Sequence, residues 1–242
     1  MVDVGGHSLH LQCQGDGSPT ILIIHGIWLN SDLGSSPAAY YGPLPSMLGR
    51  EAHTCLYERA NVGRSDTIDE TQTTADSVAD LRALVDVAGI PGPYLLVGES
   101  FGGIIAIQFA AAYPADVVGM VFSDASLPTD EQIDNLIPEP DRSELVAELD
   151  VNAENLRYYD SLHEAGAVIE MLPDVPITYL AASDVDLDPS WPVEAMLKQI
   201  SDYQQAFVDA QPQGRLVRVD SDHTLPPQVI ADEVTRMIVE LR

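Results

Sequence analysis

The most distinctive chemical feature of this sequence is a serine held between glycines. Residues 98–103 read GESFGG, and Ser100 is the third of them. An apolar run predicted as a strand, Tyr94 to Val97, comes directly before, and an apolar helical segment, Ser100 to Tyr113, follows. A tight strand-to-helix turn of this kind projects a serine hydroxyl above a sheet, and glycines at both flanks remove Cβ atoms that would clash. The spacing therefore predicts that Ser100 is a nucleophile.

A histidine near the other end of the chain is the predicted general base. His223 follows a strand predicted over residues 215–219 and precedes a helix predicted over residues 226–241. From that turn an imidazole reaches over the strand ends to Ser100, as a base that takes the serine proton must do. None of the 6 histidines shows metal-ligand spacing such as H-x-x-x-H. We therefore predict no metal site.

The elements that must position these two side chains alternate along the chain. Short apolar runs rich in β-branched residues alternate with segments of helical period, which predicts a mostly parallel sheet covered by helices. The other predicted strands cover residues 7–14, 20–24, 53–57, 117–122 and 177–181, and the other helices cover 74–87 and 193–210. The acidic segment 126–172 breaks the pattern and is predicted as a small lid inserted between two strands. Because fewer than about 50 residues rarely fold alone, we expect one domain over residues 1–242.

Charge and hydropathy exclude several classes of partner. The 242 residues carry 38 acidic and 11 basic side chains, for a formal net charge of −27. A surface this negative repels phosphate backbones and anionic headgroups, so we expect no nucleic-acid and no membrane-surface partner. The longest apolar runs are far shorter than the about 18 residues of a membrane span, and no signal peptide is visible. The expected partner is a small molecule, and the sequence does not predict an oligomeric state.

Four segments, taken in order along the chain, resemble those of the α/β-hydrolase superfamily. They are His25-Gly26 after a strand, residues 57–66 (YERANVGRSD), the turn around Ser100, and Asp222-His223. Glu58 and Ala60 stand where the family's loop usually has aspartate and glycine, and Glu99 stands where histidine is common. The resemblance implies an α/β-hydrolase fold, with a mostly parallel central sheet flanked by helices. It also implies hydrolysis of a carboxylic ester or lactone by a Ser-His-Asp triad without a cofactor.

The resemblance leaves three aspartates as candidates for the acid of the triad. Family members place the acid in the loop after either of two strands. Asp124 follows the earlier strand and lies 24 residues after Ser100, an interval found in certain haloalkane dehalogenases of the superfamily. In the later loop the family register puts Val185 at the acid position, with Asp184 and Asp186 on either side. We therefore favour Asp124, then Asp186, then Asp184, and an N-cap or turn residue is the competing role for Asp124.

The backbone N–H groups around the turn at Ser100 are expected to bind the carbonyl oxygen of the substrate. The N–H of Phe101 follows from the geometry of the turn, and the loop after His25-Gly26 supplies the second donor, most simply the N–H of Ile27. Two such donors stabilise the charge that develops in acyl transfer. The residues expected to line the substrate pocket are Trp28, Leu29 and Asn30. Trp191, Tyr158 and Tyr159 are further candidates from the lid side, and core aromatics are their competing role.

The two cysteines bear on where the protein works. Cys13 and Cys55 lie on predicted strands that the resemblance makes antiparallel neighbours, so a disulfide between them is one prediction and two buried thiols are the other. Related hydrolases of actinobacterial type carry cysteines at similar places, and this resemblance favours the disulfide and an extracellular protein. A disulfide favours an extracellular protein, and two thiols favour a cytoplasmic one.

The same triad also serves other reactions. Acyl transfer, cofactor-free perhydrolysis and hydrolysis of a carbon–carbon bond are alternatives. A ligand-binding relative without catalysis is a further one, because a fold does not determine a function. The intact pair of Ser100 and His223 favours an enzyme. A serine nucleophile argues against epoxide hydrolysis and dehalogenation, which in this superfamily need an aspartate.

Overall fold

A mixed sheet forms the centre of the protein in the computed structural model, which describes residues 1–28 and 36–242. Within these residues eight strands lie in the order β1-β2-β4-β3-β5-β6-β7-β8. They are β1 (Val2–Asp3), β2 (Ser8–Gln14), β3 (Thr20–Ile24), β4 (Thr54–Glu58), β5 (Tyr94–Glu99), β6 (Val117–Ser123), β7 (Ile177–Ala182) and β8 (Gly214–Val219). The pairs β1–β2 and β2–β4 are antiparallel, and the remaining pairs are parallel. The predicted mostly parallel sheet is confirmed.

Helices cover both faces of the sheet. They are α1 (Pro37–Tyr40), α2 (Leu44–Leu48), α3 (Thr74–Val87), α4 (Gly102–Ala112), α5 (Asp130–Asp134), α6 (Asp141–Asp150), α7 (Tyr158–Val168), α8 (Val193–Asp209) and α9 (Pro227–Glu240). Helices α3, α4, α7 and α8 contribute to the core on one face, and α2 and α9 contribute to the core on the other. All five residues of β3 are buried, because both faces of a central parallel strand are covered. None of the described helices combines the length and apolar content that crossing a bilayer requires.

The insertion between β6 and β7 consists of α5, α6, α7 and a short 3-10 turn, Ile169–Met171. Helix α7 packs against α4, and its Leu162 and Ala165 are fully buried. Helix α6 has no buried residue and lies at the surface. The inner part of the insertion therefore belongs to the core, and the role of its outer part as a lid stays a proposal.

A disulfide ties the antiparallel edge of the sheet together. Cys13 on β2 lies directly opposite Cys55 on β4, and their Sγ atoms are bonded. The ring of His53 lies close by, with Nε2 3.8 Å from Cys55 Sγ. Among the described residues these three form the one cluster of possible soft-metal ligands, but both sulfurs are consumed by the disulfide.

Candidate active site

The strand-to-helix turn around Ser100 has the strained geometry that exposes a nucleophile. Ser100 has φ 48°, in the left-handed region that few residues other than glycine adopt. This is why α4 begins at Gly102 and not at Ser100, as the apolar pattern predicted. A Cβ on Gly102 would overlap the carbonyl oxygen of Ile24, so glycine is needed for the helix to start against β3. The N–H of Ser100 donates to Ser123 O at 3.2 Å, which ties the turn to the end of β6.

Asp124 and His223 meet beside this turn. Asp124 Oδ2 lies 2.7 Å from His223 Nδ1, and Asp124 Oδ1 accepts a 2.9 Å hydrogen bond from the N–H of Ala182 at the end of β7. A carboxylate at Nδ1 places the neutral ring's proton there and leaves the lone pair on Nε2. The hydrogen bond to Asp124 is the main cause that raises the pKa of His223 above its usual value. The favoured acid thus has the contacts that the role requires.

The two alternative acids do not reach the imidazole. Among the described residues, the carboxylates within ion-pair distance of the His223 ring are those of Asp124 and Glu99. Asp184 and Asp186 are exposed in the loop after β7. Asp124 therefore remains the acid that the geometry supports.

The imidazole of His223 lies beside the turn at Ser100 but does not form a hydrogen bond with this serine. In residues 1–28 and 36–242 no hydrogen bond joins Ser100 Oγ to His223, whose Nε2 lies 3.8 Å from Oε1 of the adjacent Glu99. Catalytic hydrogen bonds are often long before substrate binds and tighten in the Michaelis complex.

A buried arginine orients the loop that follows β3. The carbonyl oxygen of Gly26 accepts hydrogen bonds from Arg59 Nη2 at 2.6 Å and from His25 Nδ1 at 2.7 Å. Burial is the main cause that lowers the pKa of His25, so its ring is neutral, and its Nε2 accepts the N–H of Arg59. Because the C=O and N–H of a trans peptide point in opposite directions, the N–H of Ile27 points away from Arg59. Neither this N–H nor that of Phe101 donates to another described residue, which agrees with the expected role of both in binding an oxyanion.

The partner of this arginine was not predicted from the sequence. Glu154, in the insertion, pairs with Arg59 at 2.7 and 2.8 Å, and both side chains are buried. Glu154 Oε1 also accepts the N–H of Trp28 at 2.6 Å. The insertion is thereby fastened to the loop that follows β3, which begins His25-Gly26-Ile27-Trp28 and is called the oxyanion loop below for its expected role. A lone glutamate in an acidic segment carries no signal that would have identified this role.

An apolar cavity of about 310 Å³ opens beside the candidate triad. Asp124 and His223 lie at its wall, and Tyr158 and Trp191 line it, as the sequence suggested. Its apolar lining comes mainly from the insertion, the loop after β7 and α8, and includes Ile133, Ile137, Leu145, Leu187, Met196 and Ile200. A second cavity, of about 590 Å³, is larger, but neither Asp124 nor His223 lies at its wall. The presence of Asp124 and His223 at its wall, and not its volume, therefore identifies the smaller cavity as the candidate substrate pocket.

Two of the other predicted pocket residues, Trp28 and Tyr159, do not line this cavity. Trp28 packs edge-on against the rings of His25 and Tyr40, with centroids 5.5 and 6.0 Å away, and does not line the 310 Å³ cavity. Tyr159 donates a 3.0 Å hydrogen bond to Asp134 and is not among the lining residues. Leu29 and Asn30 lie outside the described residues.

One wall of the cavity carries a perturbed carboxyl group. Asp130 lines the cavity, and its Oδ2 accepts the N–H of Leu127 at 3.1 Å. Burial is the main cause that raises the pKa of Asp130 to about 7. The pocket therefore gains a negative charge as the pH rises through neutrality.

Comparison with known proteins agrees with this architecture. The family described as "alpha/beta hydrolase fold" matches residues 19–232. The chain belongs to the α/β-hydrolase family. Among solved structures, this α/β hydrolase is similar to Est1E from Butyrivibrio proteoclasticus with bound ferulic acid, at a TM-score of 0.71 and 17% identity over 99% of this chain and 97% of that one. The enol-lactonase of Burkholderia xenovorans LB400 superposes with a TM-score of 0.61 and 16% identity, over 98% of this chain and 97% of that one.

Curated relatives match a shorter part of the chain. Lipase LipV of Mycobacterium tuberculosis is 31% identical over 143 residues, which cover 55% of this chain and 49% of the lipase. The match therefore spans about half the length of each protein. Together with the family match, these relatives support a hydrolase.

Proposed function

We propose that this α/β hydrolase cleaves a carboxylic ester or lactone through an acyl-enzyme on Ser100. The observation that carries the proposal is the 2.7 Å contact between Asp124 and His223, made beside a strained serine turn. The names of the lipase and the enol-lactonase agree with this class of substrate. The proposal invokes no metal and no cofactor.

The geometry supports a two-stage mechanism. His223 Nε2 takes the proton of Ser100 as Oγ attacks the substrate carbonyl carbon, and Asp124 stabilises the imidazolium that forms. The N–H groups of Phe101 and Ile27 stabilise the tetrahedral anion. His223 then gives its proton to the leaving alcohol, or to the ring oxygen of a lactone. Water, deprotonated by His223, then attacks the carbonyl carbon of the acyl-enzyme. As the bond to Ser100 Oγ breaks and the acid is released, His223 returns that proton to Oγ.

The cavity suggests the kind of substrate. Aliphatic side chains dominate its walls, so it favours an apolar acyl or alcohol group. Each buried methylene is worth about 0.8 kcal/mol, so kcat/KM should rise with chain length until the 310 Å³ are filled. The net charge of −27 favours neutral or cationic substrates and disfavours nucleic acid.

Two further proposals concern the setting of the site. Outer parts of the insertion, α5 and α6, supply cavity walls, which supports their role as a lid on a single domain. The disulfide supports export to an oxidising compartment.

Hydrolysis of short p-nitrophenyl esters by wild type and Ser100→Ala tests the proposal. We expect Ser100→Ala to lose at least about 10³-fold in kcat/KM and to lose the covalent adduct that an alkyl phosphonate forms with wild type. Ser183→Ala, at an exposed serine after β7, is the matched control. It should keep the wild-type kcat/KM and should still form the phosphonate adduct. Hydrolysis that survives in Ser100→Ala would refute the nucleophile.

A further inference from the structure

The buried carboxylate of Glu99 lies between the two halves of the candidate site. Glu99 is 6% exposed. Oε2 accepts the N–H of Gly26 at 2.8 Å, and Oε1 lies 3.8 Å from His223 Nε2. The hydroxyls of Tyr40 and Tyr41 donate to the same carboxylate at 3.2 and 3.3 Å. One side chain thus contacts the oxyanion loop, the imidazole and the segment of α1.

We propose that Glu99 is a positioning residue that couples the catalytic imidazole to the oxyanion loop, and this rests on the function proposed above. Its Oε1 faces the nitrogen of His223 that exchanges the proton with Ser100, and its Oε2 holds Gly26, whose carbonyl shares a peptide plane with the N–H of Ile27. The imidazolium formed during catalysis is flanked by a carboxylate at each nitrogen. Asp124 stabilises it at Nδ1, and Glu99 stabilises it on the Nε2 side.

Packing around Gly26 shows that this placement of Glu99 is built into the turn. A Cβ on Gly26 would lie 2.6 Å from Glu99 Oε2 and 3.0 Å from Ser100 Cβ. Gly26 does not have a positive φ, so close approach of the carboxylate, and not backbone conformation, requires glycine here. Gly26 is therefore held on both sides: Glu99 accepts the hydrogen bond from its N–H, and Arg59 and His25 donate to its carbonyl oxygen.

The surrounding charges determine the direction of the effect. Burial raises the pKa of Tyr40 to about 12, so this phenol remains a neutral donor. Burial raises the pKa of Glu99 above its ordinary value, while His223 and the hydrogen bonds to it oppose that rise. The ring of His223 also faces Asp124 and Asp222, whose charges raise its pKa in the same direction as Glu99 does. We therefore expect the loss of the Glu99 carboxylate to lower the pKa of His223.

The test compares the pH dependence of ester hydrolysis in wild type and Glu99→Gln. Because His223 must be neutral to act as a base, kcat/KM falls on the acid side of the profile. We expect this acid limb to move to lower pH by about one unit in Glu99→Gln, since an opposite charge at this distance shifts a pKa by about 1–3 units. The pKa of His223, measured in the same proteins by NMR of the ¹⁵N-labelled imidazole, should move by the same amount.

The matched control is Glu58→Gln, which removes a charge from another buried glutamate that does not contact His223. Its acid limb should coincide with that of wild type. Glu99→Met is the second variant should Glu99→Gln not fold, and it should shift the limb in the same direction. Superimposable profiles and an unchanged histidine pKa in the Glu99 variants would overturn the role of Glu99. If the Ser100→Ala enzyme were active, the proposed function would fail instead, and the NMR titration would still decide whether Glu99 holds the imidazole.

Discussion

Asp124 Oδ2 lies 2.7 Å from His223 Nδ1, although the two residues are 99 positions apart in the chain. They meet because β6 and β8 end at the same edge of the sheet, and each residue lies in the loop that follows one of these strands. Asp124 has φ 39°, so its backbone is strained in the same sense as that of Ser100. Non-glycine residues hold this conformation only where the surrounding structure enforces it. Hydrogen bonds from the backbone of Asp124 to Leu180 and from Ala182 to its carboxylate supply that enforcement.

Asp124→Asn should lower kcat about 10⁴-fold. An amide in place of the carboxylate stabilises the wrong tautomer of His223, and it does not stabilise the imidazolium. The measurement is steady-state hydrolysis of a p-nitrophenyl ester at the optimum pH. Asp186→Asn and Asp184→Asn are matched controls in the later loop and should stay within about twofold of wild type. If Asp186→Asn showed the large loss and Asp124→Asn did not, Asp124 would be only a turn residue.

The acid limb of the wild-type profile should have its midpoint above 6.5, the ordinary pKa of histidine, because Asp124 and Glu99 raise the pKa of His223. Hydrolysis therefore increases as the pH rises through that raised value. The effect on stability has the opposite sign. A raised pKa in the folded state contributes stability that is fully present below 6.5 and is lost as the pH rises through the folded-state value. Parallel measurements of kcat/KM and of urea unfolding between pH 5 and 9 check both signs. His223→Ala should abolish hydrolysis and should remove the part of the pH dependence of stability that His223 contributes, leaving the part that comes from Asp130.

The sequence predicted those parts of the fold and site whose signals are local. The bounds of β3 and α3 agree with the prediction, because each is a continuous apolar or helical pattern with a clear end. The predicted strand at residues 53–57 is shifted by one residue, to Thr54–Glu58, and β1, α1 and α2 were not predicted, since two to five residues are too few to show a period. The same holds for the site. The Ser100 turn is a contiguous motif, whereas Tyr40 and Glu154 act through tertiary contacts that no local pattern records.

Glu154→Ala should lower the free energy of unfolding by about 3–5 kcal/mol, because it leaves the buried guanidinium of Arg59 without its partner. Denaturant titration measures this loss. Asp160→Ala is the control, since Asp160 pairs with Arg157 at the surface and such pairs contribute about 1 kcal/mol or less. Activity should fall along with stability, since Glu154 also holds the N–H of Trp28 beside the oxyanion loop. If the two variants lost equal stability, the Arg59–Glu154 pair would not be a buried constraint.

Asp130→Asn should stabilise the protein increasingly as the pH rises from about 4 to 7. The pKa of Asp130 is raised from 3.8 to about 7, so the folded state disfavours the charged form, and ionisation costs stability that the unfolded chain does not lose. Each unit of difference is worth about 1.4 kcal/mol, so the gain should be on the order of 4 kcal/mol at pH 8 and much smaller near pH 4. Thermal or urea unfolding of both proteins at pH 4, 6 and 8 measures the trend. Asp174→Asn is the control, at an exposed acid outside the 310 Å³ cavity, and its effect on stability should not change with pH in this way. If the effect of Asp130→Asn were also independent of pH, the Asp130 carboxyl would be exposed to solvent and not buried.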